Sequence, residues 1–316
     1  MFDAASKTFF HTLAQSRLLA RMASRYGMAG PRAFARRFVA GETVAEAITA
    51  VRAIQAQGLT STLDLLGESV STLAEADAAS RAYCDVLDAI VAAGVEHNLS
   101  LKLTQLGLDL DRATCVDHLR RILDRAAPHD FFVRIDMEGS AYTQVTLDVF
   151  DTLWQQGYRH VGVVLQSALH RSERDARALN AMGARVRLVK GAYNEPKTVA
   201  WQAKADVDAA YVRIAQLLLA EGTYPAIATH DPAMIAAARE YATAHGIGPD
   251  RFEFQMLYGI RRDLQTALCT DGYRVRIYIP FGTHWFQYFM RRLGERPANV
   301  GFVLRGILTE RREINP

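Results

Sequence analysis

Four residues near the end of the chain, Tyr288, Arg291, Arg292 and Glu295, are spaced i, i+3, i+4 and i+7. On a helix they share one face. Two adjacent arginines can hold a carboxylate through charge-assisted, often bidentate, hydrogen bonds. Glu295 would then balance the charge and could face a substrate amine. The same spacing also occurs on solvated helices laced with intrahelical ion pairs, each worth about 0.2–0.5 kcal/mol. Spacing alone leaves anion clamp and solvated face both open.

A second set of polar residues stands at the ends of short apolar runs. Asp64 follows the first run and Lys102 lies in the second. Asp136 and Glu138 follow the third, Gln166 ends the fourth and Lys190 the fifth. Thr229 and His230 follow the sixth, Gln255 lies in the seventh and Tyr278 ends the eighth. One polar residue at a strand end is commonly a cap or a solvated stop. One at every end points to a large polar cavity, bigger than a small metabolite needs, which a cofactor would fill.

The elements that must position these residues alternate in type. The runs Leu59–Leu63, Leu99–Leu103, Phe131–Ile135, His160–Leu165, Val186–Val189, Pro225–Ala228, Phe252–Met256 and Tyr273–Ile277 read as strands. Helical spacing marks Ala74–Ala93, Thr114–Ala126, Val145–Trp154, Asp206–Leu219, Pro232–Ala244 and Arg261–Cys269. Pro232 suits a first helical position behind an Asp231 cap. Eight strands joined by helical crossovers predict a parallel α/β fold closed into a (β/α)8 TIM-like barrel. Such barrels place catalytic groups at the carboxyl ends of their strands. An open doubly wound sheet is the rival, but the G-x-G-x-x-G turn that announces it is absent. Pro31–Ala40 and Val44–Gln57 add helices ahead of the barrel. The expected organisation is a helical segment over residues 1–57, a catalytic barrel over 58–308 and a tail over 309–316.

Composition narrows the classes. The 316 residues are 50% hydrophobic and 22% charged, ordinary for a globular chain with a sizeable core. A formal net charge of +3 gives no case for nucleic acid. Cys84, Cys115 and Cys269 are far apart and form no Cys-x-x-Cys pair, so neither a zinc site nor a disulfide framework is expected. No run is long enough to span a membrane, and the first thirty residues lack the apolar stretch of a signal peptide. A cytoplasmic location is expected. Between Asp3 and Glu42 there is no acidic residue, and Arg17, Arg21 and Arg25 fall on one helical face. That face is solvated, a contact with an anionic membrane surface or part of a transit-like leader.

Several segments, in order, resemble proline dehydrogenases: Asp136–Glu138 (DME), Val164–Gln166 (VLQ), Val186–Tyr193 (VRLVKGAY), Ala228–Asp231 (ATHD), Phe252–Asp263 (FEFQMLYGIRRD), Arg274–Gly282 (RVRIYIPFG) and Tyr288–Glu295 (YFMRRLGE). The match runs from about Arg37 to Leu308. The resemblance implies a distorted (β/α)8 barrel holding non-covalent FAD, with the helix that carries Arg291 and Arg292 over its carboxyl face. It implies flavin contacts at Asp136, Met137, Val164, Gln166, Arg187, Lys190, Gly191, Ala192, Tyr193, Thr229, His230 and Gln255. It implies substrate contacts at Lys102, Asp136, Leu188, Tyr278, Tyr288, Arg291, Arg292 and Glu295, and no metal. Some members have an aromatic where this chain has Asn194, so stacking from that position is not expected.

The implied activity is oxidation of L-proline to Δ1-pyrroline-5-carboxylate, with electrons passing to a membrane quinone. Bifunctional members carry a fused aldehyde dehydrogenase. This length suits the monofunctional bacterial type, whose product goes to a separate pyrroline-5-carboxylate dehydrogenase. Three other readings stay open. Lys190 could serve as the Schiff-base lysine of an aldolase-like lyase, the barrel could be another FAD-dependent reductase, such as one acting on folate intermediates, or it could bind a ligand without turnover.

Overall fold

The computed structural model describes residue 28 and residues 34–295, with side chains as far as Arg292. Eight parallel strands form a closed barrel in sequence order. They are β1 (Thr60–Leu65), β2 (Asn98–Leu101), β3 (Phe132–Ile135), β4 (Val161–Gln166), β5 (Val186–Val189), β6 (Ala226–Ala228), β7 (Glu253–Leu257) and β8 (Val275–Phe281). β8 closes the barrel by pairing with β1, with Thr62 opposite Tyr278. Helix α1 (Val44–Gln55) precedes β1. Each strand is then followed by a helix: α2 (Leu73–Ala93), α3 (Arg112–Ala126), α4 (Ser140–Gln155), α5 (Ser172–Ala181), α6 (Lys204–Glu221), α7 (Pro232–Ala244), α8 (Arg262–Thr270) and α9 (Trp285–Glu295).

Local chemistry accounts for the helix starts. Thr43 and Glu46 form a reciprocal capping box at α1. Thr72 caps α2 and Asp111 caps α3 through backbone amides. Asp231 accepts from the Ala233 amide with Pro232 behind it, as the sequence predicts. Helix α5 has no counterpart among the predicted helices. Its ten residues are mostly polar, and the apolar side chains it buries are Ala176 and Leu179, too few to set up a visible period.

Strand alternation divides the barrel into two environments. Leu63, Leu99, Val133, Val163, Val186, Leu188, Ile227, Phe254 and Ile277 belong to the main apolar core. The opposite parity turns inward and is polar. There Arg187 on β5 reaches Ser100 on β2 and Gln255 on β7, which crosses the barrel. Lower down, Arg276 donates to Glu253 at 2.9 Å and to Glu96 at 2.6 Å.

A second apolar cluster carries α9. Trp285, Tyr288, Phe289 and Met290 pack with Ala35, Phe38, Val39 and Leu66. The Trp285 indole donates to Glu42 at 3.0 Å. The segment ahead of the barrel, which includes a short 3-10 turn at Phe34–Arg37, is thus the seat of α9. The basic face of Arg17, Arg21 and Arg25 and the tail at 309–316 lie outside the described residues.

Candidate active site

At the carboxyl ends of the strands lies a cavity of about 460 Å³, within the range of small-molecule and cofactor sites. Its floor is an ionic network built on inward-facing strand ends. The Arg187 guanidinium donates to Asp136 at 2.6 Å, and the Tyr278 hydroxyl donates to the other oxygen of Asp136 at 2.7 Å. The Gln255 amide oxygen accepts from Arg187 at 2.5 Å. Asp136 is therefore held from two sides, one neutral and one cationic. The Lys102 ammonium lies 3.5 Å from the fully buried Asp64. Burial works against the Lys102 charge, but the Asp64 and Asp136 carboxylates outweigh it and hold its pKa above the usual lysine value. Burial raises Asp64, and Asp136 adds to this against the pull of Lys102. Glu138 is raised by burial too, although it accepts from the Thr104 amide at 3.2 Å and from the Thr104 hydroxyl at 2.6 Å.

One wall comes from the ends of β5 and β6. Gly191 has φ +111°, and a Cβ there would stand 3.0 Å from the Gln166 side-chain oxygen and 3.3 Å from the Ala168 methyl. Only glycine gives a bare backbone at that approach. Lys190 donates to Asp208 at 2.5 Å and to Asp231 at 2.6 Å. Desolvation raises those two carboxyls, but their lysine partners prevail and leave both below the ordinary aspartate value. His230 accepts from the Leu257 amide at its Nε2, 2.9 Å away, which leaves the ring proton on Nδ1. The roof is α9. Arg291 lies against Glu68, with its Nη1 at 2.9 and 3.0 Å from the two carboxylate oxygens. The Arg292 guanidinium sits 5.0 Å from the centre of the Tyr288 ring.

Every residue expected to meet a flavin lines this one cavity: Asp136, Met137, Val164, Gln166, Arg187, Lys190, Gly191, Ala192, Tyr193, Thr229, His230 and Gln255. Lys102, Tyr278, Tyr288, Arg291 and Arg292 line it too. Leu188 does not. It has the opposite parity to Arg187 on β5 and is fully buried in the apolar core. Glu295 ends α9, and its side chain lies outside the described residues. The sequence reading missed Glu68, Lys204 and Asp208, all of which join the ionic contacts around the cavity. Glu68 stands in a loop with no periodicity to place it. Lys204 and Asp208 show an i, i+4 pair, which by itself reads as helix surface.

A closed parallel barrel with an ionisable cavity at its carboxyl face has the layout of a barrel enzyme. Residues 47–305 match the family model described as proline dehydrogenase. The chain is 42% identical over 299 residues to proline dehydrogenase 1 of Bacillus subtilis, which spans 95% of this chain and 98% of that protein. It is 44% identical over 278 residues to the proline dehydrogenase of Deinococcus radiodurans, spanning 87% of this chain and 90% of that protein. The chain belongs to the proline dehydrogenase family. Among solved structures, proline utilization A from Bdellovibrio bacteriovorus inactivated by N-propargylglycine superposes with a TM-score of 0.77 at 28% identity. That likeness covers 82% of this chain but 32% of the larger protein.

Proposed function

We propose that the protein oxidises L-proline to Δ1-pyrroline-5-carboxylate with non-covalent FAD as the acceptor, and that the electrons then pass to a quinone. The carrying observation is that the cavity unites a bare-backbone cradle at Gly191, cationic Lys190 and Arg187, and the arginines of α9. Those features suit a flavin with its phosphates, because the glycine admits close backbone approach and the cations face negative charge. FAD, when bound, supplies the two-electron acceptor for the hydride that leaves proline C5.

The chain's own residues do the rest. Arg291 and Arg292 hold the substrate carboxylate, and Arg291 exchanges the Glu68 carboxylate for it. Lys102 keeps its charge beside Asp64 and Asp136, which favours the neutral amine of a bound proline by electrostatic repulsion. Tyr278, fixed by Asp136, presents a flat ring to the pyrrolidine. Clamp and ring together orient C5, which is positional catalysis. The amine proton leaves to solvent as the C5–N double bond forms, and hydrolysis of the imine then opens it to glutamate semialdehyde. A separate pyrroline-5-carboxylate dehydrogenase would take that product.

The aldolase-like alternative is less well supported. Lys190 is engaged by two carboxylates, the setting of an anchored cation rather than of a nucleophilic amine. An absorbance spectrum of purified protein, before and after anaerobic L-proline, tests the function directly. A flavin spectrum that bleaches supports it. Protein that is colourless and takes up no FAD refutes it. Peripheral contact with an anionic membrane would bring the protein to its quinone, and absence of flotation with anionic liposomes would remove that part. Among the described residues no helix is long and apolar enough to cross a membrane.

A further inference from the structure

The stretch from Gly191 to Ala203 runs from β5 to α6 and carries Gly191, Ala192 and Tyr193 along the cavity. Most of its middle is exposed, including Val199 and Trp201. A segment of this kind holds a wall in place only if something ties it down. Its far end is tied: Leu169 and Ala200 form an isolated antiparallel bridge, and the Trp201 amide donates to the Ala168 carbonyl at 2.8 Å. At its near end Lys190, just before Gly191, is bound to Asp208 and Asp231, and within the stretch Glu195 reaches a neighbouring element. The Glu195 carboxylate accepts from the Ser140 amide at 2.7 Å and from the Ser140 hydroxyl.

The receiving end is built for this contact. Helix α4 starts at Gly139, which has no side chain to cap it, and has no acidic residue in its first turn. The helix end therefore lacks both a local acceptor and a local charge for its dipole. Glu195 supplies both from 55 residues away. The Glu195 oxygen packs close over Gly139, 3.6 Å from where a Cβ would stand, an ordinary contact. The loop that ends at Gly139 is itself a cavity wall, through Asp136 and Met137. The Gln166 amide donates to the Glu138 carbonyl at 2.8 Å and so ties that loop to β4 as well.

We infer that Glu195 is a positioning residue for the cofactor: by capping α4 from the β5–α6 strap, it locks the two cavity walls at Asp136–Met137 and Gly191–Tyr193 to one another. The inference rests on the flavin reading above. Breaking the tie lets the strap open and release the cofactor faster, while the barrel beneath stays folded. Glu195→Gln keeps the size and removes the charge. Ser140→Ala keeps the amide and removes only the hydroxyl.

The test is FAD binding to the full-length protein, measured as equilibrium affinity and as release rate, beside thermal unfolding of the FAD-free protein. E195Q should weaken FAD binding about tenfold, mostly through faster release, since one charge-assisted contact is lost. S140A should weaken it by a smaller factor. The double variant should match E195Q alone, because both changes break the same contact. The FAD-free unfolding temperature should stay near the wild-type value. E195Q that retains FAD as tightly as wild type overturns this inference alone. So does a fall in FAD-free unfolding that accounts for all the lost affinity, because Glu195 would then be a general helix cap. Wild-type protein that takes up no FAD overturns the function reading and this inference with it.

Discussion

Arg291 shows how much a residue's surroundings add to its type. Its side chain is largely withdrawn from solvent, and Glu68 holds it through both carboxylate oxygens. Burying a guanidinium is costly without such a partner, and under the proposed clamp a substrate carboxylate would compete with Glu68 for it. Arg291→Met should raise the KM for proline by about 10- to 100-fold, the loss of one or two charged hydrogen bonds. Flavin content should be unchanged. Steady-state kinetics with a flavin-to-protein absorbance ratio check both halves, and an unaltered KM would take Arg291 out of the clamp. The pair Arg291 and Arg292 was legible as a candidate from spacing alone. Its ionic partner was not, because Glu68 is 223 residues away in the chain.

At the scale of elements, two joints fix the N-terminal segment besides its packing on α9. One is the capping box of α1. The Arg36 guanidinium beside Glu46, with the Glu42 and Thr43 amides, overcomes a small burial cost and lowers that carboxyl to about 2. The folded-state value lies below the unfolded one. Its contribution is therefore fully present above pH 4.5 and is lost as pH falls from 4.5 toward 2. Glu46→Gln should cost up to about 1 kcal/mol near neutral pH, discounted for its solvent exposure. Denaturant unfolding of both proteins should converge as the pH is lowered through that window. A constant gap would mean that Glu46 acts by packing alone.

The other joint is Gly259, at φ +73°, where a Cβ would lie 1.7 Å from the Arg37 carbonyl oxygen. No side chain fits there and the backbone angle disfavours one. Gly259→Ala should cost about 3 kcal/mol or more, read as a large drop in unfolding temperature. An unchanged temperature would show that Arg37 moves aside freely. The segment FQMLYG carried this glycine in plain sight, yet its reason is a contact between the start of the chain and the loop after β7. Helix α5 is the reverse case. Tertiary closure requires a crossover between β4 and β5, although the local sequence displays no apolar stripe for one.

For the molecule as a whole, the cavity is lined from the ends of β2 through β8 and by α9, so a bound cofactor should couple to global stability. FAD at about a hundred times its Kd should stabilise the fold by ~2.7 kcal/mol. That corresponds to a rise of roughly 4–6 °C in unfolding temperature for a chain of this size. Calorimetry with and without FAD reads it, and no shift at saturating FAD would separate the cofactor from the cavity.

The barrel itself was readable from the linear chain, because eight apolar runs alternating with helical spacing leave few other ways to bury a parallel sheet. So was the polar rim, since each run stops at a side chain that prefers an aqueous or ionic neighbour. Strand parity was the harder matter. Leu188 sits one position from Arg187, and that single step turns it from the lumen to the helix layer. The partners of Lys102, Lys190 and Arg291 are carboxylates distant in sequence, and closure of the barrel alone brings them within reach. Local chemistry chose which residue types face the cavity, and the pairing of distant elements chose which charges meet there.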